Sequence, residues 1–118
     1  MKTNRKFVDV KLRLKPLSVE EAEDILVGLE ERIRSFLVKK LRRRLDELDI
    51  IVKADYEGGE LTVNVDVRVV GRVIAPLSYD EVVAEAIDEA ARWLEAKLRS
   101  RLDSREEYGA REASEESS

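Results

Sequence analysis

A six-residue stretch that decides the fold occurs twice, as Pro16-Leu17-Ser18-Val19-Glu20-Glu21 and as Pro76-Leu77-Ser78-Tyr79-Asp80-Glu81. In each copy the Ser side chain can accept a hydrogen bond from the N–H of the Glu three residues later, and that Glu can bond back to the Ser N–H. This reciprocal pair is the capping box of a helix N-terminus. The Pro before the cap stops a preceding strand, because it has no N–H to donate. The repeated stretch therefore predicts, twice, a strand that leads into a helix.

The residues on either side of these caps have the matching periodicities. Apolar and polar residues alternate from Phe7 to Leu14, which predicts a half-buried strand. After Ser18 the apolar residues recur with a period of 3.6 as far as Leu48, which predicts a first helix over 18–48. A second helical pattern starts at Ser78 and continues to about Leu102.

A hairpin is predicted between the two helices. Glu57-Gly58-Gly59-Glu60 is a two-residue turn of the kind that needs positive φ at both Gly residues. The turn fixes the register of the flanking strands, and a slip by one residue would mix their apolar and polar faces. The predicted pairs are Tyr56–Leu61, Ala54–Val63, Val52–Val65 and Ile50–Val67 on the apolar face, and Asp55–Thr62, Lys53–Asn64, Ile51–Asp66 and Asp49–Arg68 on the other face.

The element order is thus β-α-β-β-α. A right-handed crossover from strand one to strand two leaves room for strand three between them. The predicted fold is an α+β two-layer sandwich, with a mostly antiparallel three-stranded sheet of order 1-3-2 and two long helices on one face. We expect residues 1–102 to form a single domain and residues 103–118, where the apolar pattern stops, to form a disordered polar tail. Strand three either continues past Gly71 to Ala75 or bends there into a separate short strand.

The composition excludes several kinds of chemistry. The 118 residues include no Cys and no His, which removes thiol nucleophiles, imidazole acid–base catalysis and the usual zinc ligands. No Gly-rich phosphate loop, nucleophile elbow or paired-carboxylate spacing occurs. We therefore expect a protein that is not an enzyme and has no cofactor, no metal and no small-molecule substrate. Because no apolar run approaches the ~20 residues of a membrane span, and no signal-peptide core follows the N-terminus, we expect a soluble cytoplasmic protein.

The charge balance indicates a habitat and limits the partners. Charged residues make up 41% of the chain, Gln is absent, and Asn occurs only at Asn4 and Asn64. This composition is typical of proteins from hyperthermophiles. The net charge of −4 argues against a protein whose whole surface binds nucleic acid, but it allows a local basic patch.

The predicted first helix is longer than the sheet it covers. A helix over 18–48 is roughly 45 Å long, whereas a strand of about eight residues spans only ~26 Å. The overhanging turns still carry an apolar stripe, which would be unusual on the surface of a monomer. We therefore favour a non-enzymatic, homodimeric interaction or assembly protein, with another protein subunit as a further partner. The predicted interface residues are Phe36, Leu37, Leu41, Leu45, Leu48 and Trp93.

The alternative partner is RNA. The cluster Lys39-Lys40-Leu41-Arg42-Arg43-Arg44 would give the first helix a basic ridge suited to a phosphate backbone. The plainer interpretation, which we prefer, is a solvated last third of the helix whose charges suit the helix dipole. The residues of the alternative nucleic-acid site are Arg32, Lys39, Lys40, Arg42 and Arg43.

The stretches Pro16 to Leu48, Asp49 to Val69 and Tyr79 to Ala90 resemble a family of small archaeal proteins of unknown function with the same β-α-β-β-α layout. The resemblance covers about Phe7 to Leu102 and brings no catalytic residues with it. In element order the chain is also similar to the small dimerising subunit of the archaeal tRNA-modifying KEOPS assembly, and that resemblance implies an assembly subunit.

Overall fold

The computed structural model describes residues 2–72 and 78–101, apart from the side chain of residue 101. The strands and helices follow the predicted β-α-β-β-α order. Their bounds are β1 Lys2–Arg13, α1 Val19–Leu41, β2 Leu45–Glu57, β3 Glu60–Gly71 and α2 Tyr79–Leu98, with short 3₁₀ turns at Arg42–Arg44 and Arg99–Arg101. The sheet has the order β1-β3-β2, and both pairs of neighbours are antiparallel. The predicted α+β fold is confirmed.

Both helices begin at the predicted caps. The Ser18 hydroxyl accepts a hydrogen bond from the N–H of Glu21, and the Glu21 carboxylate accepts one from the N–H of Ser18, each at 3.1 Å. At α2 the Ser78 hydroxyl accepts from the N–H of Glu81 at 3.3 Å. An N-cap of this kind stabilises a protein by about 1 kcal/mol. The two caps fix where the chain leaves the sheet and enters the helical layer.

The hairpin has the predicted register. Gly58 and Gly59 form the turn with φ values of 60° and 81°, and all eight predicted pairs between β2 and β3 are present. On one face the apolar residues of the sheet meet the buried side chains of α1 and α2 in a single core. The other face is covered by neither helix and is called the open face below. It consists of the odd-numbered residues of β1, the odd-numbered residues of β2 from Glu47 onward, and the even-numbered residues of β3. Leu45 lies before the shift in register between Leu45 and Glu47 and packs against the core instead.

The predicted end of the first helix is wrong. The helix ends at Leu41 rather than Leu48, and residues 45–48 belong to β2. Leu41 is followed by the 3₁₀ turn Arg42–Arg44, which reverses the chain into β2. Arg42, the first residue of this turn, has φ 49° and ψ −123°. The overhanging apolar stripe therefore does not exist, because the sheet extends to meet the helix.

The backbone of Arg42 provides a first testable prediction. Its angles are those of the first central residue of a type II′ turn, a position that favours Gly. An L side chain in such a conformation costs of order 1–3 kcal/mol, part of which Gly recovers. We expect Arg42→Gly to stabilise the protein by about 1 kcal/mol, or about 4 °C in Tm, measured by thermal and urea unfolding.

The matched control is Arg43→Gly, one residue further along the same turn. Among the described non-Gly residues only Arg42 has positive φ, so we expect Gly at position 43 to destabilise the fold by about 0.5–1 kcal/mol. A loss of stability in both variants would contradict the assignment of strain to Arg42.

Some predictions lie outside the described residues. These are the path of the chain from residue 73 to residue 77, which includes the continuation of strand three to Ala75, and the disordered tail over residues 103–118. Within the described part of the chain, no helix is long and apolar enough to cross a membrane.

Candidate functional site

The open face of the sheet carries two large apolar side chains in its central row. Phe7 of β1 is 67% exposed and Ile51 of β2 is 49% exposed. Both are register partners of Asp66 in β3, so the three residues form one row across the sheet. An exposed Phe in line with an exposed Ile is a notable feature, because apolar residues at the centre of a charged surface are typical of binding sites.

Charged side chains surround this row and bond to one another. The Arg5 guanidinium donates to both carboxylate oxygens of Asp66, at 3.1 and 2.9 Å, and lies 4.8 Å from the centre of the Phe7 ring. The hydrogen bond from Arg5 holds the pKa of the Asp66 carboxyl below its ordinary value, against an opposing effect of desolvation. Arg68 likewise donates to Asp49 at 2.5 Å and to Glu47 at 3.2 Å. These bonds hold the charged groups of the open face in defined positions.

The charges on the two outer strands have opposite signs in the same rows. β1 contains five basic residues and one Asp, whereas β2 contains five acidic residues and one Lys. The single acidic residue of β1, Asp9, and the single basic residue of β2, Lys53, lie in the same row, because both pair with Asn64. The charges are therefore opposite in this row as well. The oppositely charged row partners are Arg5 with Asp49, Asp9 with Lys53, Lys11 with Asp55 and Arg13 with Glu57.

A second candidate site is a groove between α1 and α2, with a volume of about 470 Å³. Its central feature is Trp93 of α2, which packs at the edge of the core. The Trp93 ring lies directly on Gly28 of α1, where a Cβ atom would overlap it. Gly28 is therefore required for the close approach of the ring, and the groove beside Trp93 continues along α1 past Phe36. We call it the Trp93 groove.

Cations lie on both aromatic rings of the Trp93 groove. The Arg32 guanidinium is 5.0 Å and the Lys97 ammonium 5.5 Å from the Trp93 ring, and the Lys40 ammonium is 5.6 Å from the Phe36 ring. Lys39 also lines the groove. Cations at these distances are attracted to the electron-rich ring faces, and none of the three forms a salt bridge with a carboxylate of the described residues.

The basic residues predicted as a single ridge are divided by the end of α1. Arg32, Lys39 and Lys40 belong to the helix, whereas Arg42 and Arg43 belong to the 3₁₀ turn that follows it. The Arg42 side chain donates to the Lys39 carbonyl at 3.3 Å, so it caps the helix. The structure thus brings Arg32 and Lys39 together with Trp93, a combination that the sequence did not predict.

The residues predicted as an interface also lie in different places. Leu37 and Leu41 are fully buried in the core of the single chain, at 0% exposure. They are unavailable to a second copy, and this corrects their assignment to an exposed stripe. Phe36 and Trp93 meet at the Trp93 groove, and Leu45 and Leu48 pack as partly buried residues of β2.

The described residues include carboxylates and a buried tyrosine, which are groups capable in principle of metal binding or acid–base chemistry. Among them, no group of three or more carboxylates is placed to hold a metal ion. Tyr79 is buried, and its hydroxyl donates to the Arg72 carbonyl. Burial raises the pKa of this hydroxyl, which favours a structural role for its proton rather than acid–base exchange.

Comparison with known proteins gives matches to solved structures. No family model and no curated protein matches the chain. It is similar to a crystal structure from Thermococcus onnurineus NA1, at 20% identity and a TM-score of 0.67, over 82% of this chain and 94% of that one. It is also similar to the solution structure of the hypothetical protein mth677 from Methanothermobacter thermautotrophicus, at 26% identity and a TM-score of 0.61, over 74% of this chain and 94% of that one. The fold is therefore that of small archaeal proteins of unknown function, and the resemblance to the KEOPS subunit finds no support in these matches.

Proposed function

We propose that the protein is a non-enzymatic interaction protein that works as a homodimer, in which two copies stack through their open faces. The observation that carries the proposal is the set of oppositely charged row partners on β1 and β2, which flank the apolar row of Phe7 and Ile51. A surface of this pattern is complementary to itself.

The complementarity follows from a two-fold axis that runs parallel to β3 and between the two sheets. This rotation keeps each row in place and exchanges the outer strands, so β1 of one copy lies over β2 of the other. Phe7 then faces Ile51 of the second copy, and Arg5 faces Asp49. In the same way, each charged residue of β1 in one copy faces its oppositely charged row partner on β2 of the other copy. Sheets that stack with strands nearly aligned are a common arrangement.

The size and composition of the open face suit a dimer. Strands of 12 residues are about 40 Å long, and three of them span about 14 Å, so each copy offers roughly 600 Å² of sheet. The total of about 1,200 Å² is the lower end of the range for specific interfaces. Burial of Phe7 and Ile51 at the centre supplies apolar contact. The surrounding charges fix the orientation rather than most of the affinity.

The first test changes the apolar row. Phe7→Glu or Ile51→Glu introduces a charge at the centre of the interface and is expected to weaken the dimer at least thirtyfold, equivalent to about 2 kcal/mol. Sedimentation or light scattering should show the mass falling from twice 13.5 kDa to that of a single chain, with the circular dichroism spectrum unchanged. Val19→Glu is the matched control, because Val19 is 74% exposed but lies in the first turn of α1.

The second test exchanges a pair of charges and fixes the orientation. Lys11 and Asp55 share a row through Thr62 and face one another between the copies in the proposed dimer. Lys11→Glu and Asp55→Lys should each weaken the dimer, and the double variant should restore it. A two-fold axis perpendicular to the strands and passing through the Phe7 row would instead place Lys11 over Thr3, so it predicts no rescue.

Three results would count against the proposal. The first is a monomeric wild-type chain at micromolar concentration. The second is a dimer that Phe7→Glu leaves intact. The third is a series of species larger than a dimer. Such a series would indicate that the β1 edge of one copy pairs with the β2 edge of the next. That arrangement brings together the same oppositely charged rows, but it leaves free edges to which further copies can add.

A further inference from the structure

The Trp93 groove combines the two features that bind unpaired nucleotides. An aromatic ring offers a surface on which a base can stack, and cations beside it can hold the phosphates. Trp93 and Phe36 supply two rings in one groove, and Arg32 and Lys39 line it next to them. The groove lies on the helical layer, opposite the open face, so it is accessible whether or not the chain dimerises.

We propose that the Trp93 groove binds single-stranded nucleic acid by stacking an unpaired base on Trp93. Arg32 lies on the Trp93 ring in the structure. When a base takes this place, the long Arg32 side chain swings off the ring and pairs with a phosphate of the strand. Lys39 lies about two helical turns further along α1 and takes the next phosphate. Phe36, between them in sequence, offers a second ring for the neighbouring base.

The position of Trp93 supports this assignment. Because Gly28 has no Cβ, the ring lies against α1 and is held at a fixed depth in the groove. A ring held in this way loses little freedom when a base stacks on it, which favours binding. Among the described residues of the helical layer, Trp93 is the aromatic side chain that two cations contact.

Two carboxylates limit the charge of the groove. Glu31 and Glu89 also line it, and they oppose the binding of phosphate. The site therefore takes a short segment of strand, and its salt dependence is modest. If Arg32 and Lys39 each hold one phosphate, the affinity should fall about sevenfold between 50 and 200 mM salt. Removal of a carboxylate should strengthen binding, so Glu89→Gln is expected to raise the affinity several-fold.

The experiment uses the fluorescence of Trp93, the one Trp of the chain. A ten-nucleotide oligouridylate at low salt should quench this fluorescence, and UMP at the same nucleotide concentration should quench it far less. Oligothymidylate should bind as well as oligouridylate, because base stacking and phosphate contacts need no 2′-hydroxyl. With a labelled oligonucleotide, Trp93→Leu should lower the affinity about tenfold or more, as expected when a base loses its aromatic partner.

The matched control for the cation is on the same helix. Arg32→Gln should weaken binding, whereas Arg34→Gln should not, because Arg34 pairs with Glu30 at 2.8 Å and does not line the groove. Equal losses in both variants would show a nonspecific effect of charge and would overturn the assignment to the groove.

Other results would also overturn the proposal. Absence of quenching by either oligonucleotide at low salt would show that no strand binds. Equal affinity for UMP and oligouridylate would assign the groove to a free nucleotide instead of a strand. Weaker binding by the Glu89→Gln variant would contradict the argument that this carboxylate repels the phosphates of the strand. This test remains valid even if Trp93→Leu disturbs the fold, because Glu89→Gln removes no contact of the core.

Discussion

Leu41→Glu is expected to unfold the protein rather than to release a monomer from an oligomer. Leu41 is the last residue of α1 and is 0% exposed, in contact with the core. A carboxylate at this position has no described cation in the core to pair with, and burial of an unpaired charge costs several kcal/mol. Domains of this size are stable by only about 5–15 kcal/mol. The milder Leu41→Ala should cost about 2–5 kcal/mol, because it leaves a cavity.

Circular dichroism and urea unfolding measure both effects. Val38→Glu is the matched control, since Val38 lies three residues earlier on the same helix and is 49% exposed. We expect it to change the free energy of unfolding by less than about 0.5 kcal/mol. A Leu41→Glu chain with the wild-type melting curve would contradict the placement of Leu41 in the core.

Gly71→Ala is expected to cost about 1–3 kcal/mol or more. Gly71 is the last residue of β3, and a Cβ there would lie 2.5 Å from the Arg44 carbonyl oxygen and 2.5 Å from the Tyr79 hydroxyl. The first contact involves backbone that is already fixed, because Arg44 accepts a hydrogen bond from the N–H of Arg72 at 3.0 Å. The 3₁₀ turn and the end of β3 can approach this closely only at a Gly.

The contact with the Tyr79 hydroxyl can be separated from the others. Tyr79→Phe removes the hydroxyl but leaves in place the Arg44 carbonyl and the ring carbon Cζ of residue 79, which is 3.0 Å from the added Cβ. If the backbone contact dominates, Gly71→Ala should cost nearly as much in the Tyr79→Phe background as in the wild type, as measured by a double-mutant cycle. A cost near zero in the wild-type background would show that the turn at Arg42–Arg44 can shift freely.

The parts of the fold that the sequence predicted correctly depend on local chemistry. Each capping Ser is three residues from its Glu, and each Gly of the hairpin turn needs positive φ. Such signals act between residues that are neighbours in the chain, so no knowledge of the tertiary structure was necessary. The sheet order then followed from the handedness of the crossover.

The end of α1 was missed because no local signal marks it. Leu45 and Leu48 fit the helical period as well as they fit β2, and the residue that turns the chain is Arg42 instead of a Gly or Pro. A signal existed at longer range. The predicted hairpin register, continued by one residue beyond the Asp49–Arg68 pair, places Leu48 opposite Val69, and the structure has this pair. If β3 pairs with β2 along its whole length, β2 must begin at about Leu45, so the helix must end before that residue.

The candidate sites differ in how far they could be predicted. In the predicted register Ile51 lies on the polar face of the hairpin. Phe7 lies on the same side of β1 as Asp9 and Lys11, because residues of a strand alternate between the two faces. The sequence therefore already indicated that both apolar side chains lie on the polar face of the sheet. The Trp93 groove was not readable, because the contact of Trp93 with Gly28 depends on how closely α1 and α2 pack. Periodicity gives the face of a helix but not the distance to its neighbour.

The alternation of the outer strands has a consequence for how this protein can evolve. From Val8 of β1 and from Leu48 of β2 onward, even-numbered residues belong to the core and odd-numbered residues belong to the open face. Successive side chains of a strand point in opposite directions, so a substitution at an odd position changes the surface that a partner meets while the packing beneath it stays the same. In the proposed dimer, substitutions at these odd positions therefore alter recognition along β1 and β2 without a matching loss of stability.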